Sequence, residues 1–279
     1  MKYKLIAMDL DGTLNNDQKT IDPPTRQALM AAQRAGIRLA LASARPLPGL
    51  YRERDALDIA AYGGILMAYN GGAIVDAATG DQLSRTAMPM QDARRVLRML
   101  ESMPVTPILD DGRIFYVTDR GGFKVDYECR NNRMDCVEVS NLADWLSFAP
   151  YKILMSADPG RIKAIQAQIA AGLPDGLTVV QTAPFYLEVI PSSVNKGVGL
   201  LAACRAIGAN PAEAIAFGDS ENDIEMLRAA GVGVAMANAD DDVKAAADRV
   251  TLSNNENGIA AALNELLKPI VQTNPAWYN

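Results

Sequence analysis

The feature that most constrains this chain is a short apolar run, residues 4–10, that breaks off in acids: Asp9-Leu10-Asp11-Gly12-Thr13. A continuous apolar segment of this length suits a strand buried on both faces of a parallel sheet. Asp9 then stands at the carboxyl end of that strand, where open parallel sheets bind their ligands. Gly12 permits the sharp bend that turns Asp9 and Asp11 toward one ligand. Taken alone, an Asp-x-Asp-Gly loop that only caps the next element is an equal alternative.

The rest of the chain sets that strand in a sheet. Asp22-Pro23 reads as an N-cap with proline in the first turn, and Ala35-Gly36 closes the helix before a second apolar strand at 37–42, giving a βαβ unit. A third strand-like stretch, 64–69, runs into Asn70-Gly71-Gly72, and 73–75 resumes the extended pattern, as in a hairpin. The middle reads differently. It shows a helix near 91–103, strands near Ile108, 114–118 and 152–156, a helix capped by Asp158-Pro159, and strands 177–182 and 186–190 with no helix between them. Adjacent strands with few crossovers indicate an α+β insertion. From Gly197 the alternation returns: a helix to Ile207, a strand at 214–217, a helix at 222–230, a strand at 232–235, then helices ending near Leu267 and a loose tail at 272–279. The expected fold is α/β: a Rossmann-like parallel-sheet core from 1–83 and 191–279, interrupted by an α+β domain at 84–190.

Composition narrows the chemistry. The chain has no histidine, which excludes Ser-His-Asp and Cys-His systems and every histidine-ligated metal site. Proton transfer falls to carboxylates, lysine or tyrosine. A formal net charge of −6 and a pI near 4.9 argue against a nucleic-acid partner, which needs basic patches. Cys129, Cys136 and Cys204 form no C-x-x-C pair and read as reduced packing thiols. No stretch approaches the roughly 20 apolar residues of a membrane span, and the opening segment puts acids where a signal peptide needs its apolar run. The expected location is cytoplasmic, with no membrane partner.

A second acidic cluster, Gly218-Asp219-Ser220-Glu221-Asn222-Asp223, follows the strand that ends at Phe217. In a shared sheet it converges with the first. Carboxylates so gathered repel unless a hard divalent cation lies between them, and an oxygen-only set points to Mg2+ rather than zinc. A helix N-terminus is the other reason for clustered acids, and it suffices for Asp240-Asp241-Asp242, to which we assign no catalytic role. Ser43-Ala44-Arg45 ends the second strand, where a hydroxyl and backbone amides suit a phosphate oxygen. Lys196 opens a helix, a position the helix dipole disfavours for a cation. A phosphate partner accounts for it, and a plain surface lysine is the commoner alternative. The run Gly197-Val198-Gly199-Leu200-Leu201-Ala202 imitates a dinucleotide fingerprint but lacks the early βαβ context, so close helix packing explains it better. Asp110-Asp111-Gly112 is read as an exposed turn.

In order, Asp9-Leu10-Asp11-Gly12-Thr13, Ser43-Ala44-Arg45, Lys196 and Gly218–Asp223 resemble the four motifs of the haloacid dehalogenase-like (HAD) superfamily. Tyr69-Asn70-Gly71-Gly72-Ala73, Leu187-Glu188-Val189-Ile190 before Val194-Asn195-Lys196-Gly197, and Val234-Ala235-Met236-Ala237-Asn238-Ala239 resemble its Cof-type subfamily, with bacterial sugar phosphatases nearest in likeness. The resemblance implies a Mg2+-dependent phosphatase acting on a small phosphorylated metabolite, a sugar phosphate foremost. Asp9 would attack phosphorus and form an aspartyl-phosphate, while Asp11 protonates the leaving oxygen and later activates water. Asp9, the Asp11 backbone carbonyl and Asp219 would ligate the metal, with Asp223 in support. The Leu10 amide, Ser43, Ala44, Lys196 and Asn222 would hold the phosphate, with Thr13 and Arg45 supporting. The inserted domain corresponds to the family's cap, in which Tyr116, Tyr127, Arg130 and Arg133 are not separable from packing residues. Monomer and homodimer both fit. Two positions depart from the pattern: Ala44 and Ala237 stand where glycine is usual. If the backbone at Ala44 needs positive φ, its methyl costs about 1 kcal/mol or more. A phosphomutase on the same fold and a receiver-like phosphoacceptor module are the rival readings.

Overall fold

Runs of four or five buried residues, such as Leu5–Met8 and Ala214–Gly218, set the strands, and the segments between them carry the helices. The structure is a computed structural model that describes residues 2–267, so the tail expected to be loose lies outside it. In chain order, β1 (Leu5–Met8) leads through α1 (Pro23–Arg34) to β2 (Arg38–Ala42), then through α2 (Tyr51–Ala56) to β3 (Ile65–Ala68), β4 (Ala73–Asp76) and β5 (Gln82–Arg85). Next come α3 (Met90–Leu100), β6 (Thr106–Asp110), β7 (Ile114–Val117), α4 (Val125–Asn132), β8 (Asp135–Glu138) and α5 (Leu142–Trp145). They are followed by β9 (Ile153–Ser156), α6 (Ile162–Gly172), β10 (Leu177–Ala183) and β11 (Tyr186–Pro191). Then follow α7 (Lys196–Ala206), β12 (Ala214–Gly218), α8 (Ile224–Ala229), β13 (Val232–Ala235), α9 (Asp241–Ala246), β14 (Arg249–Val250) and α10 (Gly258–Leu266).

These elements form two compact units. The first takes the residues up to Ala44, Leu50–Arg85 and those from Asn195 on; the second takes Arg45–Gly49 and Thr86–Val194. The first unit is built on one sheet of order β14-β13-β12-β1-β2-β3-β4-β5, parallel from β14 to β3 and antiparallel over the last three strands. β1 pairs with β2 on one side and β12 on the other, Leu5 standing opposite Arg38 and Ala214. Covered on both faces, β1 has no room for a polar residue, which is why it reads as an uninterrupted apolar run. Strand order reverses at β1, so the crevice at the carboxyl ends opens between β1 and β12. The hydrophobic core on one side of the sheet joins Leu5, Ala7, Ala40 and Ala216 to Leu200 and Ala203 of α7 and Met226 of α8.

The second unit has its own sheet, order β10-β11-β9-β6-β7-β8, antiparallel throughout except for the parallel pair β7 and β8. Its core gathers Val96, Leu97 and Leu100 of α3, Ile162, Ile165 and Ile169 of α6, and Ile153, Leu187 and Val189 of the sheet. The elements α4, β8 and α5 carry no pattern that the sequence alone reveals. The reason is visible in α4, VDYECRNN, where two of the three buried residues are the polar Glu128 and Asn132, so no apolar periodicity exists to be read. Beside them Lys152 donates to Glu188 at 2.7 Å, both 3% exposed.

Two expected caps differ. Asp158 does not cap α6; its side chain accepts from the Gly160 amide and its carbonyl from the Arg161 amide, so a turn precedes a helix that starts at Ile162. Asp22 does sit at the start of α1, but its carboxylate accepts from Asn16 Nδ2 rather than from the helix. Of the Asp110-Asp111-Gly112 turn, only part is exposed: Asp110 is buried and accepts from the Gly112 amide. All three cysteines are free, and no described helix is long and apolar enough to cross a membrane.

Removing one partner of a buried ion pair strands the other charge, at a cost of about 3 kcal/mol or more. Lys152→Met alone is therefore expected to lower unfolding stability by that order. The double change Lys152→Met, Glu188→Leu should cost less than the single one in chemical denaturation, and additive losses would contradict the account.

Candidate active site

Asp9 is the first residue beyond β1, and its amide donates to Phe217 O at 3.1 Å, which carries the β1 and β12 pairing to the very tip. Its carboxylate is nearly buried and accepts from Lys196 Nζ at 2.5 Å. Lys196 is the first residue of α7. Asn195 fixes that helix start by accepting from the Val198 amide, and the lysine side chain lies 1% exposed. The same ammonium donates to Asp223 Oδ1 at 2.6 Å. The other oxygen of Asp223 accepts from the Asp219 and Ser220 amides, both at 3.0 Å, and so shapes the loop after β12. Gly218 is required beneath it, because a β-carbon there would stand 2.4 Å from that of Asp223.

The two acidic loops interlock. Thr13 Oγ1 donates to Asp219 Oδ1 at 2.5 Å. Gly12 has φ +85°, and a β-carbon there would fall 2.4 Å from Asp219 Oδ2. From outside, Asn238 Nδ2 donates to the Gly12 carbonyl at 2.8 Å and is itself held by the Asn254 amide. Oxygens of Asp9, Asp219 and Asp223 lie within 4.8 Å of one another.

The charges of this cluster do not balance. Three carboxylates face one ammonium. Burial pushes Asp9 up to about 8, with the neighbouring charges of Asp223 and Asp219 adding to the rise and Lys196 opposing it. Asp219 is pushed up to about 6, again chiefly by burial, against the hydrogen bond from Thr13. Lys196 is raised, because the two carboxylates outweigh its own desolvation, and it stays charged. A hard divalent cation fits this deficit, since it supplies the missing positive charge to an all-oxygen set. Asp223 is committed on its two oxygens to the Lys196 ammonium and to two backbone amides, whereas Asp219 accepts from the hydroxyls of Thr13 and Ser220, which can rotate away; Asp9 and Asp219 therefore fit a cation best, with Asp223 as their support.

Of the other residues singled out in the sequence, Ser43 is buried, donates its amide to Met67 O at 2.9 Å and accepts the Asn70 amide at 2.9 Å. Ala44 is not among the residues with positive φ, so the strain foreseen for its methyl does not arise; nor is Ala237. Leu10 is fully buried at the strand tip. Asn222 is held by Asn70, Nδ2 to Oδ1 at 2.9 Å. Asp11 pairs at 2.6 Å with Lys19, a residue the sequence reading passed over. Arg45 belongs to the second unit, where it donates to Gly49 O, Asn131 O and Asn131 Oδ1. Asn70 reads in the sequence as part of an Asn-Gly-Gly turn, where nothing separates an anchor from a turn residue, and Asn238 only as part of the family-like phrase 234–239.

The parallel-sheet core, with a buried lysine among carboxylates at the β1 and β12 tips, places the chain among α/β proteins that carry an acid-and-lysine site at the carboxyl ends of the sheet. The chain matches the haloacid dehalogenase-like hydrolase family over residues 6–263, and it belongs to that family. It is 30% identical over 274 residues to 5-amino-6-(5-phospho-D-ribitylamino)uracil phosphatase YitU of Bacillus subtilis, covering 95% of this chain and 97% of that one. It is 28% identical over 288 residues to phosphatase YwpJ of the same organism, covering 95% and 100%. The crystal structure of a haloacid dehalogenase-like hydrolase from Bacteroides thetaiotaomicron superposes with TM-score 0.89 at 32% identity, covering 95% and 99%. Within its family the chain is a phosphatase.

Two outcomes test the site. Gly12→Ala should displace Asp219 and lower kcat/KM by about 100-fold, since small misplacements of reacting groups are costly; a variant with full activity would refute the interlock. An acid whose pKa rises on folding favours the fold when protonated. Asp9 therefore stabilises fully below its ordinary value of 3.8, and that contribution is lost as pH climbs through about 8. In EDTA, Asp9→Asn should raise the thermal midpoint more at about pH 8 than at about pH 5. An equal gain at both would contradict the burial account.

Proposed function

We propose that this phosphatase is Mg2+-dependent and hydrolyses small phosphorylated metabolites, foremost sugar and polyol phosphates, through an aspartyl-phosphate on Asp9. The observation that carries the reading is the placement of Asp9 at a strand tip, against the buried Lys196 ammonium and within reach of Asp219. Asp9, the Asp11 backbone carbonyl and Asp219 would hold the metal. When bound, Mg2+ neutralises the charge that would otherwise keep a carboxylate from approaching a phosphate dianion.

The remaining roles fall to side chains and amides. Lys196 has three N–H donors, of which Asp9 and Asp223 take two, and the third is available to a phosphate oxygen. Ser43, the Leu10 and Ala44 amides and Asn222 supply further donors, fixed before substrate arrives, which is how such groups stabilise charge that develops late. Asp9 attacks phosphorus, the bond from phosphorus to the leaving oxygen breaks, and Asp11 delivers its proton to that oxygen. Asp11 then takes a proton from the water that attacks the aspartyl-phosphate, releasing inorganic phosphate and restoring Asp9. Its present pairing with Lys19 is exposed, so leaving it costs little. No histidine competes for this role.

YitU, by its name, acts on a phosphate carried by a ribityl chain, and that supports a polyol phosphate as the substrate class. The inserted second unit is assigned the choice among such substrates. A panel of sugar, polyol and aryl phosphates, with Mg2+ or EDTA, tests the reading. Expected are stoichiometric free phosphate, dependence on Mg2+, preference for a polyol-borne phosphate, and loss of at least about 1,000-fold in kcat for Asp9→Asn. Phosphoryl transfer to a second sugar without free phosphate would establish the mutase instead.

A further inference from the structure

The turn that joins β3 to β4 is more strained than a connection between two paired strands requires. Tyr69, Asn70 and Gly71 take φ values of 53°, 55° and 92°, three successive residues in the left-handed region, and Tyr69 and Asn70 are nearly buried. Left-handed backbone is cheap for glycine, tolerable for asparagine and costly for tyrosine, which adopts it only where its surroundings impose it. Ala68 and Ala73 pair directly across the hairpin, so strand register alone does not impose this path.

What the path achieves is contact with three other segments. The Asn70 amide donates to the Ser43 carbonyl at 2.9 Å. Asn70 Oδ1 accepts from Asn222 Nδ2 at 2.9 Å, and Asn222 is otherwise an exposed residue on the loop after β12. Gly71 lies against the first turn of α7: a β-carbon there would stand 2.9 Å from the Asn195 carbonyl and 2.9 Å from Gly199 Cα. Conversely, a β-carbon on Gly199 would stand 2.8 Å from Gly71 Cα. One turn therefore touches the segments that carry Ser43, Asn222 and Lys196.

From these contacts we infer that Asn70 is a positioning residue for phosphate binding, which orients the Asn222 amide while its backbone holds the Ser43 loop. The inference rests on the reading that Ser43, Asn222 and Lys196 hold the phosphate. In this assignment Asn70 acts through Asn222 and the Ser43 loop rather than on the phosphate itself. A hydrogen bond to a neutral acceptor is modest by itself, and it matters more where it fixes a group that must meet a charged ligand. The Asn222 side chain without it would have to be ordered by the substrate.

The experiment uses Asn70→Gly in the full chain. Glycine keeps the left-handed backbone and the amide donor to Ser43, so folding is preserved, while the acceptor for Asn222 is lost. KM for an aryl phosphate and the inhibition constant of inorganic phosphate, both with Mg2+, are compared among the native chain, Asn70→Gly, Asn222→Ala and the double variant. The inference predicts that Asn70→Gly raises both constants about tenfold, with kcat changed less than about threefold and the thermal midpoint held. It also predicts that Asn70→Gly has no further effect once Asn222 is alanine. An unchanged KM in Asn70→Gly, or losses that multiply in the double variant, would overturn it. Failure of the underlying phosphatase reading is seen separately, as a native chain that releases no phosphate at all.

Discussion

The Lys196 ammonium, buried between Asp9 and Asp223, is the interaction on which the rest of the structure turns. A lysine almost entirely removed from water is costly unless its charge is answered. Here it is answered twice, from the loops beyond β1 and β12, which are neighbours because the strand order reverses at β1. The helix that carries it begins on an asparagine cap, so the cation sits where the helix dipole opposes it, and the carboxylates outweigh that penalty. The arrangement overcompensates the lysine with acid. Burial raises the pKa of Asp9, the excess of negative charge adds to the rise, and that excess makes the site receptive to a cation.

Close approach of backbone is the second device. Gly12 has no room for a side chain because Asp219 of the other loop occupies the space, which fits the two loops to each other, and Gly218 has none because Asp223 folds back over it within its own loop. Thr13 and Asn238 close the contact from either end. Such a fit matters because fixed donors help a developing charge only if they need not reorganise.

Much of this was legible in the sequence, for a physical reason. β1 and β12 are covered on both faces and had to be written as unbroken apolar runs, so the acids at their ends stood out and their convergence followed from the parallel sheet. Lys196 is legible because a cation at a helix start violates the dipole preference. Asn70 and Asn238 are not legible as anchors, since each works through a contact distant in sequence, and Lys19 is not because its contact with Asp11 bridges a loop with no periodicity to read. The strain expected at Ala44 was an inference from a family pattern, and the backbone there has an ordinary φ. Within the second unit, α4 escaped notice because part of its inward face is polar, Glu128 and Asn132 bonding to each other rather than to solvent.

The central claim is that Asp9 itself becomes phosphorylated. Rapid quenching during turnover, followed by borohydride reduction and peptide mapping, reads this directly, because an acyl phosphate is reduced to an alcohol while a free carboxylate is not. The account predicts homoserine in place of aspartate at position 9, formed only when substrate and Mg2+ were both present. Aspartate left intact at position 9 in an enzyme that is turning over, with or without reduction at another acid, would contradict it.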